Sequence, residues 1–318
     1  MKNFAMIGAA GFVAERHLKA ISETGNRLLV ASDTFDVMGR MDHYFPDADF
    51  FTQFDEFATF VRQIQQSGSP LDFCSICSPN YLHEKHIDFS LHHSINAICE
   101  KPLVIFPEEL ERIRDKESRS GKKVWTILQL RHHPVIASLK EWVDQQPKEK
   151  VFDIDLAYIT SRGKWYFKSW KGDMTKSGGV VANIGVHFFD MLLWIFGKVK
   201  DSRVHVYAPH KAAGFLQLER ARVRWFLSLD YDDIPEKSRT RGSRTYRSIV
   251  IENRELEFSE GFTNLHTVSY SHIIAGEGFG IETAAPCIDL THRIRNSPVT
   301  GVKGDYHPFL SQSGIIPE

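Results

Sequence analysis

The 318-residue chain has almost no net charge: 39 lysine and arginine residues stand against 40 aspartate and glutamate, a formal −1. That excludes the basic balance expected of a nucleic-acid binder. Four cysteines, Cys74, Cys77, Cys99 and Cys287, are too few to staple a chain of this size. Cys74 and Cys77 have C-x-x-C spacing, but no second pair completes a zinc site and no redox helix follows. Core packing in a buried strand, Leu71–Cys77, explains them better, and no metal is expected. No apolar run approaches the roughly 20 residues that span a bilayer. Met1-Lys2-Asn3-Phe4 enters a strand without a secretory apolar segment, so the expected location is the cytoplasm. Repeats and low-complexity tracts are missing too. What is there is 42% hydrophobic and 25% charged, an ordinary globular composition with length for two domains.

Strand and helix patterns alternate over the first part of the chain. Phe4–Ile7, Leu28–Ala31, Leu71–Cys77, Asn96–Cys99 and a run from Val124 read as strands. Ala14–Glu23, a stretch from Phe54, Leu82–His92 and Pro107–Ser120 read as helices, the last closed by Gly121. This predicts an α/β fold over residues 1–125: a Rossmann doubly wound, mostly parallel sheet with helices on both faces. From 126 to 318 the pattern changes. Val151–Ile159 and Arg222–Leu229 alternate at period two, Ser248–Ile251 and Glu255–Phe258 add short strands, and Val186–Phe196 is a helix stopped by Gly197. An α+β domain on a large open, mostly antiparallel sheet with helices on one face is expected. Its uncovered face calls for another copy, so a homo-oligomer, dimer or tetramer, is expected through that sheet.

The turn Gly8-Ala9-Ala10-Gly11-Phe12-Val13-Ala14 follows a strand and opens a helix, the context of a dinucleotide fingerprint. Gly8 permits the tight turn, Gly11 lets backbone approach a pyrophosphate, and Ala14 is small where helix meets strand. The helix start supplies N–H groups and partial positive charge. Ala10 departs from the G-x-G-x-x-G pattern, so the turn alone is a weak signal. Asp33 strengthens it, closing the second strand about 20 residues on, where a carboxylate accepts from ribose hydroxyls. It repels a ribose phosphate, which favours NAD over NADP. Asp36 and Arg40 read as solvated helix-end charges. Ser78, Asn80 and His83 follow the Leu71–Cys77 strand at the same end of the sheet and complete the cofactor set with Phe12, Val13, Glu100 and Lys101; Ser78 or Asn80 also suits a cap for the helix from Tyr81. His83 and His86 are spaced like a metal pair, with nothing nearby to complete a site.

Lys101 sits in Glu100-Lys101-Pro102 after the apolar run Ile95–Cys99. The carboxyl end of a parallel strand is where open α/β sheets bind ligands. A lysine buried there trades protons near neutral pH, whereas a solvated strand-end lysine does nothing chemical. Far downstream, Ser177-Gly178-Gly179-Val180-Val181-Ala182-Asn183-Ile184-Gly185-Val186-His187-Phe188-Phe189-Asp190 joins close-approach glycines to a helix start. Asn183, His187 and Asp190 share one face by spacing. His187 reads as a proton handler, with a satisfied core histidine as the alternative.

These motifs together resemble the Gfo/Idh/MocA family of nicotinamide-dependent sugar and polyol oxidoreductases over nearly the whole chain. Within it, Arg162–Asp173, Asp230–Pro235 and Phe258–Thr263 resemble the bacterial UDP-N-acetyl-2-amino-2-deoxyglucuronate 3-dehydrogenases of lipopolysaccharide O-antigen synthesis. The resemblance implies oxidation of a sugar C3 hydroxyl with NAD, the substrate being UDP-N-acetylglucosaminuronate. Some members of that branch return NADH to NAD by reducing 2-oxoglutarate, which makes 2-oxoglutarate a second candidate partner. Lys101 is then the base or hydrogen-bond donor at the reacting oxygen, and His187 the rival base or relay. The family often has aspartate where Asn183 stands, and an amide cannot stabilise an imidazolium by charge. Trp165, Tyr166 and Trp170 offer aromatic faces to sugar or uracil. Arg131, Arg162, Lys164, Ser169 and Lys171, with Asn183 and His187, complete the substrate set, Lys168 lying beside them; a solvated basic loop is the plainer reading. Arg239, Arg241, Arg244 and Arg247 read as a solvated hairpin. An inositol or free-sugar dehydrogenase, or a silent cofactor-sensing regulator on the same scaffold, are the competing functions.

Overall fold

The computed structural model describes residues 1–36, 38–68 and 70–312. The chain forms two compact units, Met1–His132 with Phe262–Ala285, and His133–Gly261 with the residues from Pro286 onward.

The first unit holds a seven-stranded sheet: β1 (Asn3–Ile7), β2 (Arg27–Ser32), β3 (Asp49–Phe51), β4 (Phe73–Ile76), β5 (Asn96–Cys99) and β6 (Val124–Thr126), with Phe279–Gly280 added at one edge. The order runs Phe279–Gly280, β6, β5, β4, β1, β2, β3. The six leading strands are parallel and the added one antiparallel to β6. This is the Rossmann order, whose direction reverses between β1 and β4. Helices follow from local sequence. Ala14–Glu23 buries Leu18 and Ile21 against the sheet, each worth about 1.5–3 kcal/mol. Pro107 opens the Pro107–Ser120 helix, Glu109 Oε2 accepts from the Phe106 and Ile105 N–H groups at 2.8 and 2.9 Å, and Gly121 ends it at φ +65°.

Residues 262–285 fold with this unit, whereas the sequence reading places 126–318 together in the second domain. The cause is apolar. Tyr270 and Ile273, on the helix Leu265–Ile274, are buried in the core around Phe4, Met6 and Leu18, and Phe279 pairs with Thr126 at the sheet edge.

The second unit holds a six-stranded sheet of β7 (Phe152–Thr160), β8 (Val199–Ala208), β9 (Lys211–Leu218), β10 (Ala221–Ser228), β11 (Thr245–Ile251) and β12 (Arg254–Glu257), ordered β12-β11-β7-β10-β9-β8. β7 and β10 are parallel; every other pairing is antiparallel. Period-two alternation puts Ile154 and Leu156 into the core and Asp153 and Asp155 on the other face, where Arg224 bonds Asp155 at 2.9 Å. The helical stretch Met174–Phe196 is long and apolar enough to cross a membrane by length and composition, contrary to the sequence reading. Its apolar window is 83% buried inside the protein, the signature of a core helix.

Candidate active site

At the reversal point of the first sheet the loops after β1 and β4 press together. Gly8 has φ +88°, and a Cβ there would lie 2.6 Å from the Cys77 carbonyl carbon and the Ser78 nitrogen. Only glycine fits this crossing. A Cβ on Gly11 would lie 3.0 Å from the Cys77 carbonyl oxygen. Phe12 is 81% exposed, Val13 packs against the core, and the helix starts at Ala14. Asp33 Oδ2 accepts the Ala10 N–H at 2.8 Å and Oδ1 the Phe35 N–H at 3.2 Å. Arg40 is no solvated charge: its Nη1 donates to the carbonyls of Ala9 and Gly11 at 3.2 and 3.1 Å. The turn's carbonyls are thus gripped from behind by a guanidinium.

Ser78 and Asn80 are both buried beside this turn. The chain passes through a 3₁₀ turn, Asn80–Leu82, into the helix His83–His92. Ser78 Oγ pairs with His86 Nδ1 at 2.8 Å. His83 is fully buried, its Nδ1 2.8 Å from the Pro102 carbonyl and its Nε2 2.9 Å from that of Ser78. Each nitrogen faces a backbone carbonyl, one of them donating its N–H, so His83 braces the loops after β4 and β5. Burial lowers its pKa despite those carbonyls.

Lys101, half-buried, stands just past β5, its peptide bond to Pro102 cis. Glu100 beside it is buried. Its Oε1 accepts from His17 Nε2 at 2.9 Å and His266 Nε2 at 3.0 Å, and its Oε2 from the Lys101 N–H at 3.1 Å. Arg131 sits in this unit with its guanidinium 5.0 Å from the Phe279 ring centre. Cys74, Cys77 and Cys99 are buried and free, and burial pushes the Cys74 thiol up to about 12.

In the second unit the basic aromatic segment is helical rather than a loop: Lys164–Lys168 forms one turn and Trp170–Gly172 another. Ser169 Oγ accepts the Lys171 N–H at 3.3 Å between them. Trp165 is 55% exposed and Tyr166 buried. Lys171 Nζ lies 5.2 and 5.6 Å from the Trp165 and Trp170 ring centres, a cation held over two indoles. The Arg162 N–H bonds the Leu229 carbonyl at 3.0 Å, while Lys164 and Lys168 are exposed. Asn183 lies in a π-helical turn, Val181–Gly185, that runs straight into the helix Val186–Phe196. Such turns recur at functional sites. Its Nδ2 donates to the Tyr166 hydroxyl at 2.8 Å. His187, one residue into the helix, is half-buried, and Asp190 is buried. The arginine hairpin is not simply solvated: Arg244 donates to Ser161 Oγ at 3.1 Å, and Arg247, within β11, donates to the Ser259 carbonyl at 3.0 Å.

Comparison with known proteins gives this arrangement its family. Residues 2–128 match the model described as oxidoreductase family, NAD-binding Rossmann fold, and residues 140–233 the model of the same family's C-terminal alpha/beta domain. The chain belongs to the Gfo/Idh/MocA family. The WlbA (WbpB) dehydrogenase of Thermus thermophilus, crystallised with NAD and alpha-ketoglutarate, is 47% identical, with TM-score 0.94 over 98% of this chain and 100% of that one. The same dehydrogenase crystallised with NAD and UDP-GlcNAcA is 46% identical with the same TM-score and coverage. Glucose-6-phosphate 3-dehydrogenase of Bacillus subtilis is 24% identical over 199 residues, 62% of this chain and 54% of that relative. The match spans about half the length of the curated relatives.

Sequence reasoning missed four residues around this family's motifs: His17, Arg40, His266 and Tyr270. All four lie on helices, and nothing in the spacing of His17 or His266 points to a partner 83 or 166 residues away.

Proposed function

We propose that the chain is an NAD-dependent dehydrogenase that oxidises the C3 hydroxyl of UDP-N-acetylglucosaminuronate to the 3-keto sugar, in lipopolysaccharide O-antigen synthesis. The observation that carries this is the near-complete match, at 46–47% identity, to a dehydrogenase crystallised with both NAD and UDP-GlcNAcA. The alpha-ketoglutarate complex of that relative supports 2-oxoglutarate as the acceptor that restores NAD.

The residues present fit the dinucleotide. The glycine turn lets the loops after β1 and β4 meet in a crossing that no Cβ would permit, the Phe12 and Val13 N–H groups at the helix start suit a pyrophosphate, and Asp33 suits ribose hydroxyls. NAD supplies the hydride acceptor when bound. Lys101 takes the hydroxyl proton; His187 is the rival base or the relay to solvent. Trp165, Trp170 and Lys171 hold the uridine or sugar, and Arg131 and Arg162 the carboxylate or phosphates. The first unit is the NAD-binding domain; the second recognises substrate and joins copies of the chain through its sheet.

The test is turnover of UDP-N-acetylglucosaminuronate, UDP-N-acetylglucosamine and myo-inositol, each with and without 2-oxoglutarate, following nicotinamide absorbance and keto product. Product from the uronate alone is expected. Oxidation of inositol in its place refutes the assignment.

A further inference from the structure

We infer that His17, His266 and Tyr270 are positioning residues for Lys101, acting through Glu100. The inference rests on the reading that Lys101 handles the substrate proton. Five buried groups of the first unit form one hydrogen-bonded line. Ser75 Oγ lies 2.6 Å from the Tyr270 hydroxyl, which lies 2.7 Å from His17 Nδ1. His17 Nε2 and His266 Nε2 meet on Glu100 Oε1 at 2.9 and 3.0 Å. All five residues are buried.

Chemistry fixes the direction of the two bonds at Glu100 Oε1. A carboxylate only accepts, so both Nε2 atoms carry protons toward Glu100. His17 Nδ1, the Tyr270 hydroxyl and the Ser75 hydroxyl continue the line away from the carboxylate. Burial by itself would raise the Glu100 carboxyl, but the N–H groups of His17 and His266 outweigh it and hold the group well below the usual carboxylate range. Burial keeps His266 on the neutral side of its ordinary value. The other titratable groups near Glu100 are Cys77 and Cys99, pushed up by burial and by this carboxylate, with His83, Tyr270 and Lys101; Arg16 faces His266.

The remaining carboxylate oxygen holds the Lys101 N–H. The backbone that aims Lys101 is therefore set by the orientation of Glu100, and that orientation by two imidazoles. His17 belongs to the helix that opens at the glycine turn; His266 and Tyr270 come from the 262–285 segment. One buried anion thus locks the lysine to the helix that faces the pyrophosphate.

The test uses the full-length enzyme and four variants, His266→Leu, His266→Gln, Tyr270→Phe and Lys101→Met, with NAD affinity, kcat and its pH profile measured for each. In His266→Leu the carboxylate loses a donor, so kcat falls ~10-fold or more and its acid limb moves up by about one pH unit, with NAD affinity within ~3-fold. Glutamine keeps an N–H for Glu100 and restores both to near the parent values. If the leucine variant fails to fold, Tyr270→Phe, which removes one hydroxyl, shifts the acid limb the same way by less. An unmoved acid limb in both variants, with Lys101→Met inactive, overturns the positioning role alone. Near-normal turnover of Lys101→Met overturns the reading of Lys101 and this inference with it. The three ligand atoms of His17, Glu100 and His266 lie within 4.8 Å of one another; activity lost to a chelator and restored by Zn²⁺ or Mn²⁺ would replace the hydrogen-bonded line with a metal site.

Discussion

Asn183 gives its amide proton to the Tyr166 hydroxyl across 2.8 Å, both side chains buried. The residue standing where the family often carries aspartate therefore bonds the aromatic segment, which ties the turn before His187 to Trp165 and Lys171. Tyr166→Phe removes that acceptor, and loss of the buried hydrogen bond costs about 1 kcal/mol of stability. Denaturant unfolding should show that loss. Steady-state kinetics should show KM for the nucleotide sugar raised ~3–10-fold with a smaller change in kcat. An unchanged KM would separate this segment from substrate recognition.

Gly8 and Gly25 make a matched pair for testing the cradle. Both have positive φ, +88° and +71°, but a Cβ at Gly25 meets nothing within 4 Å, whereas one at Gly8 meets backbone at 2.6 Å. Gly25→Ala should cost only the left-handed backbone term, about 1–2 kcal/mol. Gly8→Ala adds a collision that only separation of the β1 and β4 loops relieves. It should abolish NAD binding in titration calorimetry while Gly25→Ala binds normally. Equal NAD affinity in the two would mean that the glycine crossing does not shape the cofactor site.

Much of this molecule was legible because its signals are local. The alternation that sets Ala14–Glu23, Pro107–Ser120 and Val186–Phe196 repeats every turn, and the helix ends carry their own stop residues. The strand-end positions of Asp33 and Lys101 were legible because the apolar runs before them read as parallel strands. What was hidden depends on distant partners. Arg40 looks solvated until the Ala9 and Gly11 carbonyls are seen above it. Glu100 gives no sign in the sequence of the two histidines that meet on its Oε1. The two carbonyls that face the His83 ring belong to residues 5 and 19 positions away, which its spacing does not announce. The return of 262–285 to the first unit rests on Tyr270 and Ile273 entering a core begun at Phe4, and no period in the sequence encodes that.

Buried neutral histidines give the fold an acid-side weakness. Burial lowers His86 in the first unit and His307 in the second to about 3. Unfolded, each takes a proton below about 6.5; folded, each refuses it until about 3. Between those values the unfolded chain binds more protons, so stability falls as pH drops, by about 1.4 kcal/mol per pH unit for each such group. Melting temperature should decline steadily from pH 6.5 toward 4. His86→Gln and His307→Gln should each flatten that slope; an unaltered slope in both would assign the acid sensitivity to other groups.

Lys101→Met tests the proton assignment most directly. Methionine keeps the length and apolar stem of lysine while removing its proton-carrying end, and Glu100 still holds the backbone N–H of residue 101 through Oε2. NAD affinity should stay within ~3-fold of the parent, since the glycine turn and Asp33 are untouched. Turnover should fall by ~10²–10⁴, the range for loss of a positioned general base. His187→Gln supplies the comparison. If the lysine is the base and the histidine a relay, the histidine variant loses less and its loss shrinks as pH rises, because hydroxide takes over the relay. A larger loss in the histidine variant, with Lys101→Met still turning over, would reverse the two roles.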